Sequence, residues 1–559
     1  MPERCGDYLG DGPKRKAVKL YQIIIGYNMA DYVLYWYCRH NIQGGSIPKG
    51  LTVENYFMTE HLLTFSKVSF GYDSSLNFLI ENFSGVFVEG WTGIVGPNGA
   101  GKTTMLLLAC GMLSPVTGTI SRPQNCYYCQ QRTDDPPDGL MDFLSSYESN
   151  ASVLQGILGI EDKFAEKWNV LSHGERKRSQ LAVALWKTPE VLALDEPTNH
   201  IDSETKSMIK EALSRYSGIG LLVSHDRELL DTLCANTVYI EPPDLYMKPG
   251  GYTKAYVQIE QERKAIERKQ AHLKKEIAKL KKELHKRRLK AEAADRAKSK
   301  KGLCAKDSDA REKIDRGRVT GKDGKISGQS ASIDSRLRRT QDKSADLRVK
   351  KNHAIGIVFD GVKLKRDMIF KTAGDSIELS EGRVLSYPDL EITPASRIAV
   401  KGPNGSGKST LVINIENELT LAADDYIFVP QEYSMMEASC LIDQVRKLGH
   451  DQLGKLMTIV SRLNSRPERL LESKTPSPGE ARKLLLALGL LKNPRLIIMD
   501  EPTNHLDIIS LQCLEEALSS CEAALLLVSH DERFLQTLTH STWRLYPDHE
   551  NMNTILIIE

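Results

Sequence analysis

The chain has 559 residues, 41% hydrophobic and 26% charged, with a formal net charge of +2; this is enough for two or three domains with real cores, and the composition excludes a disordered or fibrous protein. Its ten cysteines follow no framework of spacings, which excludes a disulfide-stapled scaffold and makes a reduced, cytoplasmic setting the default. The small net charge hides an asymmetry: residues 261–350 hold 30 Lys and Arg against 14 Asp and Glu, a surplus of +16, and the remainder sums to −14.

Residues 1–57 fit neither of the domains that follow. Leu20 to Cys38 is rich in Ile and Tyr but is interrupted by Gln22, Asn28 and Asp31, so it falls short of the about 20 mostly apolar residues of a membrane span. It also lacks a small-residue cleavage site. The expectation is an N-terminal extension of no inferable role, with Met58 an alternative start and Leu62-Leu63-Thr64-Phe65 opening the first domain. No other stretch reads as a membrane domain, so the chain is not itself a transporter.

The first domain is expected over 58–255. Trp91 to Val95 reads as a strand running into Gly96-Pro97-Asn98-Gly99-Ala100-Gly101-Lys102-Thr103-Thr104, and Met105 to Met112 continues as helix. Glycines let backbone N–H groups turn onto phosphates, and a helix N-terminus adds favourable partial charge. Lys102 is placed to reach the β- and γ-phosphates and Thr103 to ligate Mg²⁺. Tyr72, in Phe70-Gly71-Tyr72, is the candidate for stacking on a base. Cys126 and Cys129 make a lone CxxC pair, and without further ligands such a pair holds no metal. Gln130, after Tyr-Cys, is the candidate for sensing the γ-phosphate and approaching the metal. The apolar strand Val191 to Leu194 delivers Asp195 to the sheet edge as a Mg²⁺ carboxylate, and Glu196 follows to orient or deprotonate the attacking water. Leu221 to Val223 ends near His225, a γ-phosphate contact.

Residues 256–351 form the basic segment. Ile259, Ile266, Leu273, Ile277, Leu280 and Leu284 make a heptad seam among Lys, Arg and Glu. A weaker seam runs through Ile333, Leu337, Thr340, Ser344 and Leu347, and Gly302, Gly317, Gly321, Gly324 and Gly328 lie between them. The simplest structure is an antiparallel helical hairpin with a glycine-bearing basic tip around 301–328. A basic segment between two acidic domains reads as a polyanion contact, with nucleic acid the leading polyanion; a solvated spacer is the alternative.

The second domain, 352–559, repeats the whole set in order. Arg397 to Val400 leads into Gly402-Pro403-Asn404-Gly405-Ser406-Gly407-Lys408-Ser409-Thr410, with helix from Leu411 to Ile415. Gln431 follows Val-Pro, Leu496 to Met499 delivers Asp500 and Glu501, and Leu525 to Val528 ends near His530. Lys408, Ser409, Asp500, Glu501 and His530 take the roles of their first-half counterparts, with Gln431 beside the metal. No equally clear base-stacking aromatic appears; Phe359 and Phe370 are weak options. A repeat of this size makes the fold class α/β, with two P-loop NTPase domains joined by a helical hairpin.

Between the phosphate loops and the carboxylate pairs lie Leu171-Ser172-His173-Gly174-Glu175 and Pro476-Ser477-Pro478-Gly479-Glu480. With Glu196-Pro-Thr-Asn-His-Ile-Asp202 and Glu501-Pro-Thr-Asn-His-Leu-Asp507, the chain resembles the ABC-F branch of the ATP-binding cassette superfamily, whose members carry tandem cassettes, no membrane domain and a charged linker. The resemblance implies ATP and Mg²⁺ as cofactors, and composite sites formed in trans within one monomer. Lys102 and Glu196 would face Ser477 and Gly479, while Lys408 and Glu501 would face Ser172 and Gly174, with Glu175 and Glu480 completing the signatures. It further implies ribosome binding, with residues 256–351 contacting tRNA and ribosomal RNA near the peptidyl-transferase centre. Displacement of a ribosome-targeting antibiotic is compatible with this and depends on the shape of the tip.

There are departures from the family pattern. His173 and Pro478 stand where a glycine is usual, Pro476 where leucine is, and Cys129 where proline precedes the glutamine. The two sites are therefore expected to differ in rate. About 40 residues separate Gln130 from the first signature and about 45 separate the second pair, which leaves little room for a long inserted arm. Two other functions remain in competition at this point: the ATPase subunit of a transporter, and a DNA-associated ATPase with the hairpin on a duplex.

Overall fold

The computed structural model describes residues 62–73, 78–199, 201–297, 322–346, 368–379, 382–431, 435–463, 478–504, 506–548 and 553–559. The N-terminal extension, Met58, Phe359, Ser477 and most of the expected hairpin tip lie outside the described residues. The chain divides into two compact units, residues 1–255 with 353–559, and residues 256–352.

In the first half, β1 (Leu63–Phe70), β2 (Ile80–Phe87) and β4 (Thr117–Ser121) form an antiparallel sheet in the order β2-β1-β4. A second sheet has the order β5-β6-β7-β3-β8-β9 and contains β3 (Gly90–Val95), β5 (Cys126–Cys129), β6 (Val191–Asp195), β7 (Ile219–Val223), β8 (Cys234–Glu241) and β9 (Asp244–Pro249). All its pairings are parallel except β8 with β9. Strands β6 and β7 are buried along their whole length, which is why they read as continuous apolar runs rather than alternating ones. Helix α1 (Lys102–Ala109) follows the first phosphate loop. It ends three residues before the expected Met112, where the Met112 N–H turns back onto the Leu107 carbonyl at 2.9 Å in the manner of a Schellman stop. The remaining helices used below are α2 (His173–Trp186), α3 (Ser203–Ser214) and α4 (Arg227–Leu233).

The second half repeats this plan. Here β10 (Phe370–Thr372) pairs with β13 (Leu390–Ile392). The strands that carry the motifs are β14 (Arg397–Lys401), β15 (Tyr426–Val429), β16 (Leu496–Asp500) and β17 (Ala524–Val528). The larger sheet adds β11 (Asp375–Glu378), β12 (Val384–Tyr387), β18 (Ser541–Pro547) and β19 (Thr554–Ile558) to them, in the order β11-β12-β19-β18-β14-β17-β16-β15. Phe370 is buried in a core cluster with Leu385 and Ile398, so its ring serves packing and not a base. The helix after the second phosphate loop covers Lys408–Glu418, longer at both ends than Leu411 to Ile415.

In the linker unit two long helices, Tyr252–Ala297 and Lys322–Asp346, carry the first seam and the second as far as Ser344, Leu347 lying outside the described residues. Leu280, Leu284, Ile333 and Leu337 form one buried cluster with Ile277 against it, and Arg336 lies 3.5 Å from Glu276. Leu280 with Leu337 and Leu284 with Ile333 is an antiparallel register. Thr340 is buried, its hydroxyl returned to the Arg336 carbonyl. Ile266 is exposed; residue 351, which this register would set opposite it, lies outside the described residues. The expected tip must shrink on one side, because the second helix begins at Lys322 and contains Gly324 and Gly328.

Candidate functional site

Each phosphate loop closes on a glycine in the left-handed region, Gly101 at φ 97 and Gly407 at φ 95, which caps the following helix. A Cβ would meet Leu79 Cδ2 at 2.8 Å in the first loop and Leu379 Cδ2 at 2.9 Å in the second, so both backbone strain and packing demand glycine there. The buried lysines lie folded within their own loops. Lys102 Nζ donates to Gly96 O at 3.0 Å and Pro97 O at 3.3 Å, and Lys408 Nζ donates to Gly402 O and Pro403 O at 2.9 Å each.

Strand ends bring the acids alongside. Thr103 Oγ1 donates to Asp195 Oδ2 at 2.7 Å, and Ser409 donates to Asp500. Tyr128, one residue before the CxxC pair ends, also donates to Asp195 Oδ2, at 3.2 Å; it was not singled out from sequence, and Phe428 holds the matching strand position in the second half. Glu196 and Glu501 sit at φ 48 and 47, a conformation that costs non-glycine residues of order 1–3 kcal/mol and clusters at functional sites. Each is anchored by its own N–H, to Val223 O and Val528 O respectively, at 2.9 Å. Burial pushes both carboxyls up to about 7, with the adjacent Asp195 and Asp500 acting in the same direction. Burial also brings His225 and His530 down to about 3, with Lys102 and Lys408 adding to it. The imidazoles are therefore neutral, and their approach to the glutamates, 3.1 Å for His225 and 3.5 Å for His530, is not an ion pair. His530 Nε2 lies 3.0 Å from Asn404 Oδ1.

The strand register corrects one expectation. Cys129 pairs with Leu194 next to Asp195, and Val429 pairs with Met499 next to Asp500. The residue matching Gln431 is then Gln131, with Gln130 in the place of Pro430. Hydrogen bonds say the same: Lys177 Nζ donates to the carbonyls of Gln130 and Gln131, and Arg482, its counterpart on the other signature helix, donates to those of Pro430 and Gln431. Cys129 thus matches Val429, and it is Gln130 that stands where the second half has its proline, one position later than the sequence suggested.

The signature residues sit otherwise than expected. Ser172 caps α2 in a capping box; its N–H and hydroxyl both donate to Glu175 Oε2 at 2.7 Å. This takes up the polar groups of Ser172 and Glu175 locally, while His173 Nδ1 reaches Thr133 Oγ1 at 3.2 Å. Gly174, Gly479 and Glu480 are half-buried. A cavity of about 370 Å³ surrounds the second loop, lined by Lys408, Ser409, Thr410, Gln431, Asp500, Glu501 and His530. From the first half it receives Thr198, Ile201 and Lys206, not Ser172 or Gly174. Among the residues that cross between halves are the aspartates ending each Asn-His-x-Asp run. Asp507 caps its own helix through Ser510 N at 2.8 Å and accepts the Asn98 N–H of the first loop at 3.3 Å. Asp202 caps α3 through Thr205 N at 2.9 Å and accepts the Asn404 N–H of the second loop. Lys206 bridges to Asp226 at 3.2 Å and reaches the His530 carbonyl at 3.5 Å. Arg227, buried, is bidentate on Glu515 of the second half and lies 3.5 Å from Asp531. These contacts had no signal in the sequence reading.

Tyr72 stands beside α1, its hydroxyl 3.0 Å from Thr104 Oγ1, and the residue is 46% exposed, a placement open to a base. At the second cavity the corresponding wall holds Leu379 and Arg383, with Arg383 donating to the Gly405 carbonyl at 3.3 Å. The residues present fit a nucleotide and a divalent cation. The cavity has the size of a ligand site. Asp500 Oδ1, Glu501 Oε1 and Glu196 Oε1 are buried without hydrogen-bond partners, and such acceptors call for a cation or donor.

Comparison with known proteins agrees with this geometry. A family described as ABC transporter matches residues 84–199 and 385–504. The ribosome protection protein VmlR of Bacillus subtilis is 27% identical over 470 residues, 80% of each chain. The ATP-binding protein Uup of Buchnera aphidicola is 27% identical over 481 residues, 80% of this chain and 75% of that one. The probable ATP-binding protein YheS of Escherichia coli is 26% identical over 526 residues, 84% and 76%. Among solved structures, archaeal ABCE1 in complex with the stalk protein aP1 superimposes with a TM-score of 0.53 at 17% identity over 88% of this chain and 89% of that one. The RNase-L inhibitor does so with 0.51 at 17% identity, over the same shares. Among the described residues no helix is long and apolar enough to cross a membrane.

Proposed function

From this chain's membership of the ABC-F branch of tandem ATP-binding cassette proteins, we propose that it hydrolyses ATP at two sites in the cytoplasm and uses cassette closure to hold the ribosome. The basic linker, residues 256–351, acts on tRNA or ribosomal RNA near the peptidyl-transferase centre. The observation that carries the ATP-driven part is the reciprocal reach of Asp202 and Asp507 onto the opposite phosphate loops, which makes each site depend on the position of both halves. The ribosomal part is supported by the similarity to a protein named for ribosome protection and by the +16 surplus of the linker, which suits backbone phosphates.

In this reading Lys102 and Lys408 exchange their loop carbonyls for the β- and γ-phosphate oxygens. Thr103 with Asp195, and Ser409 with Asp500, would hold Mg²⁺, with Gln131 and Gln431 as further candidates, and the cation would supply positive charge against the phosphates. Glu196 and Glu501 orient the attacking water and accept its proton, and carboxyls near 7 suit that task close to neutral pH. Neutral His225 and His530 fix the γ-phosphate end. Further closure brings Ser172 and Gly174, and Ser477 and Gly479, onto the phosphates held by the other cassette. Hydrolysis removes that link and lets the halves part.

The test is sedimentation of the Glu196→Gln, Glu501→Gln protein in lysate with ATP and with ADP. Migration with ribosomes in ATP alone is expected; unchanged migration in both defeats the ribosomal reading. A role in drug resistance is tested separately, by growth inhibition of cells expressing the chain under peptidyl-transferase antibiotics.

A further inference from the structure

We propose that Arg482 is a positioning residue for Glu501, tying the Gln431 segment to the backbone of the second site's water-activating carboxylate, and that the first site lacks this tie. The inference rests on the assignment of Glu501 as the residue that activates water.

Arg482 is 3% exposed, and its guanidinium gathers four backbone carbonyls from two separate segments. One terminal nitrogen donates to Glu501 O at 2.9 Å and Asn504 O at 2.7 Å. The other donates to Gln431 O at 2.5 Å and Pro430 O at 3.4 Å. Lys177 takes the same place on α2, five residues after its signature serine, and is 1% exposed. Its ammonium donates to Gln130 O at 2.9 Å, Gln131 O at 3.3 Å and, on its own helix, Gln180 Oε1 at 2.9 Å. It thus grips the glutamine segment but spends its remaining donor on Gln180. A planar fork can bridge two segments at once, whereas an ammonium is a point charge at the end of one stem.

The consequence is mechanical. Buried carbonyls must keep donors, so a displacement of Gln431 by a ligand moves the guanidinium and with it the carbonyls of Glu501 and Asn504. Glu501 is held at φ 47, where a small rotation of its peptide swings the carboxyl away from the water it must face. Asn504 stands three positions before Asp507 in the sequence, the residue that accepts from the first phosphate loop. The second site is therefore wired from its glutamine to its own glutamate and to the opposite loop. In the first site the Gln131 segment and Glu196 move independently.

The experiment uses the full-length protein in a Glu196→Gln background, so that turnover reports the second site. Arg482→Lys keeps the charge and is expected to leave the melting temperature and the KM for ATP near those of the parent, while kcat falls about ten- to a hundred-fold, the scale of a misplaced reacting group. Gln431→Ala is expected to lower kcat in the parent and to add nothing in Arg482→Lys. In the Glu501→Gln background, Gln131→Ala and Lys177→Met should instead combine additively. Unchanged kcat in Arg482→Lys overturns the proposal, as does additivity with Gln431→Ala, or a kcat loss matched by equal losses of binding and melting temperature. No turnover in the Glu196→Gln parent removes the assignment of Glu501, and the proposal with it.

Discussion

The His225 backbone N–H donates to Glu196 Oε2 at 3.1 Å, while the imidazole Nε2 of the same residue lies 3.1 Å from Oε1 without hydrogen-bonding alignment. One residue thus steadies the carboxylate with its main chain and leaves the second oxygen open.

This arrangement sets the pH dependence of the metal-free protein. A glutamate raised from 4.5 to about 7 contributes stability that is present below 4.5 and lost as pH rises through about 7. A histidine lowered from 6.5 to about 3 contributes stability that is present above 6.5 and lost as pH falls through about 3. Glu196→Gln with Glu501→Gln should therefore gain most over the parent at pH 8 and nothing at pH 4. The ceiling is roughly 3 kcal/mol per site. Melting curves in chelator across that range provide the check; a constant difference at all pH values contradicts it.

The register argument gives a sharp comparison between two neighbours. Gln131→Ala should slow turnover of the first site, measured in the Glu501→Gln background, by at least about ten-fold. Gln130→Ala, in the place of Pro430, should stay within about two-fold of the parent, because only its carbonyl is engaged and alanine retains a carbonyl. The reverse order would restore Gln130 as the sensing residue.

Arg227 and Glu515 should behave as a coupled pair. Removing one partner of a buried ion pair strands the other charge and costs about 3–5 kcal/mol, so Arg227→Met and Glu515→Met should each destabilise strongly, with the double variant much less than their sum. Denaturant titrations of the four proteins measure this. Additive losses would show that the contact carries no coupling.

Leu280 and Leu337 are the test of the linker. Either one changed to Ala should weaken helix pairing by about 1–3 kcal/mol, below the largest core values because the cluster is small. Circular dichroism should show lost helix and protease should cut within 256–352, while nucleotide binding by the cassettes is retained. An intact helical signal in Leu280→Asp would mean that the cluster does not hold the pair.

Much of the first layer of this structure was legible because burial writes itself into sequence. β7 and β17, and β6 and β16 up to their terminal aspartates, are continuous apolar runs since both faces are covered, and each leads to its acid or histidine. The phosphate loops were legible because few residues tolerate the φ of Gly101 and Gly407. The helix over Gly324 and Gly328 was not, since glycine lowers helix propensity and only packing at Ile333 and Leu337 overrides it. The one-residue error at Gln130 arose because Gln130 itself stands in the place of Pro430, which removes the proline landmark and leaves two adjacent glutamines. Tyr128 gave no signal at all, because its meaning lies in a hydroxyl reaching across to the neighbouring strand. Contacts such as Asp507 with Asn98 join residues 409 positions apart, a separation over which no local pattern carries information.

The Arg227–Glu515 contact also bears on which halves can meet each other. Arg227 follows Asp226 as Glu532 follows Asp531, and Lys210 stands eight residues after Asp202 as Glu515 does after Asp507. The mirror-related couple is therefore Glu532 with Lys210, of opposite polarity; here these two residues pair instead with Lys401 at 2.6 Å and Glu228 at 2.9 Å. Two copies of the first half meeting in the same way would set Arg227 against Lys210, and two copies of the second would set Glu532 against Glu515. Only the unlike union is attractive. A few charges suffice to make each half a stranger to its own kind.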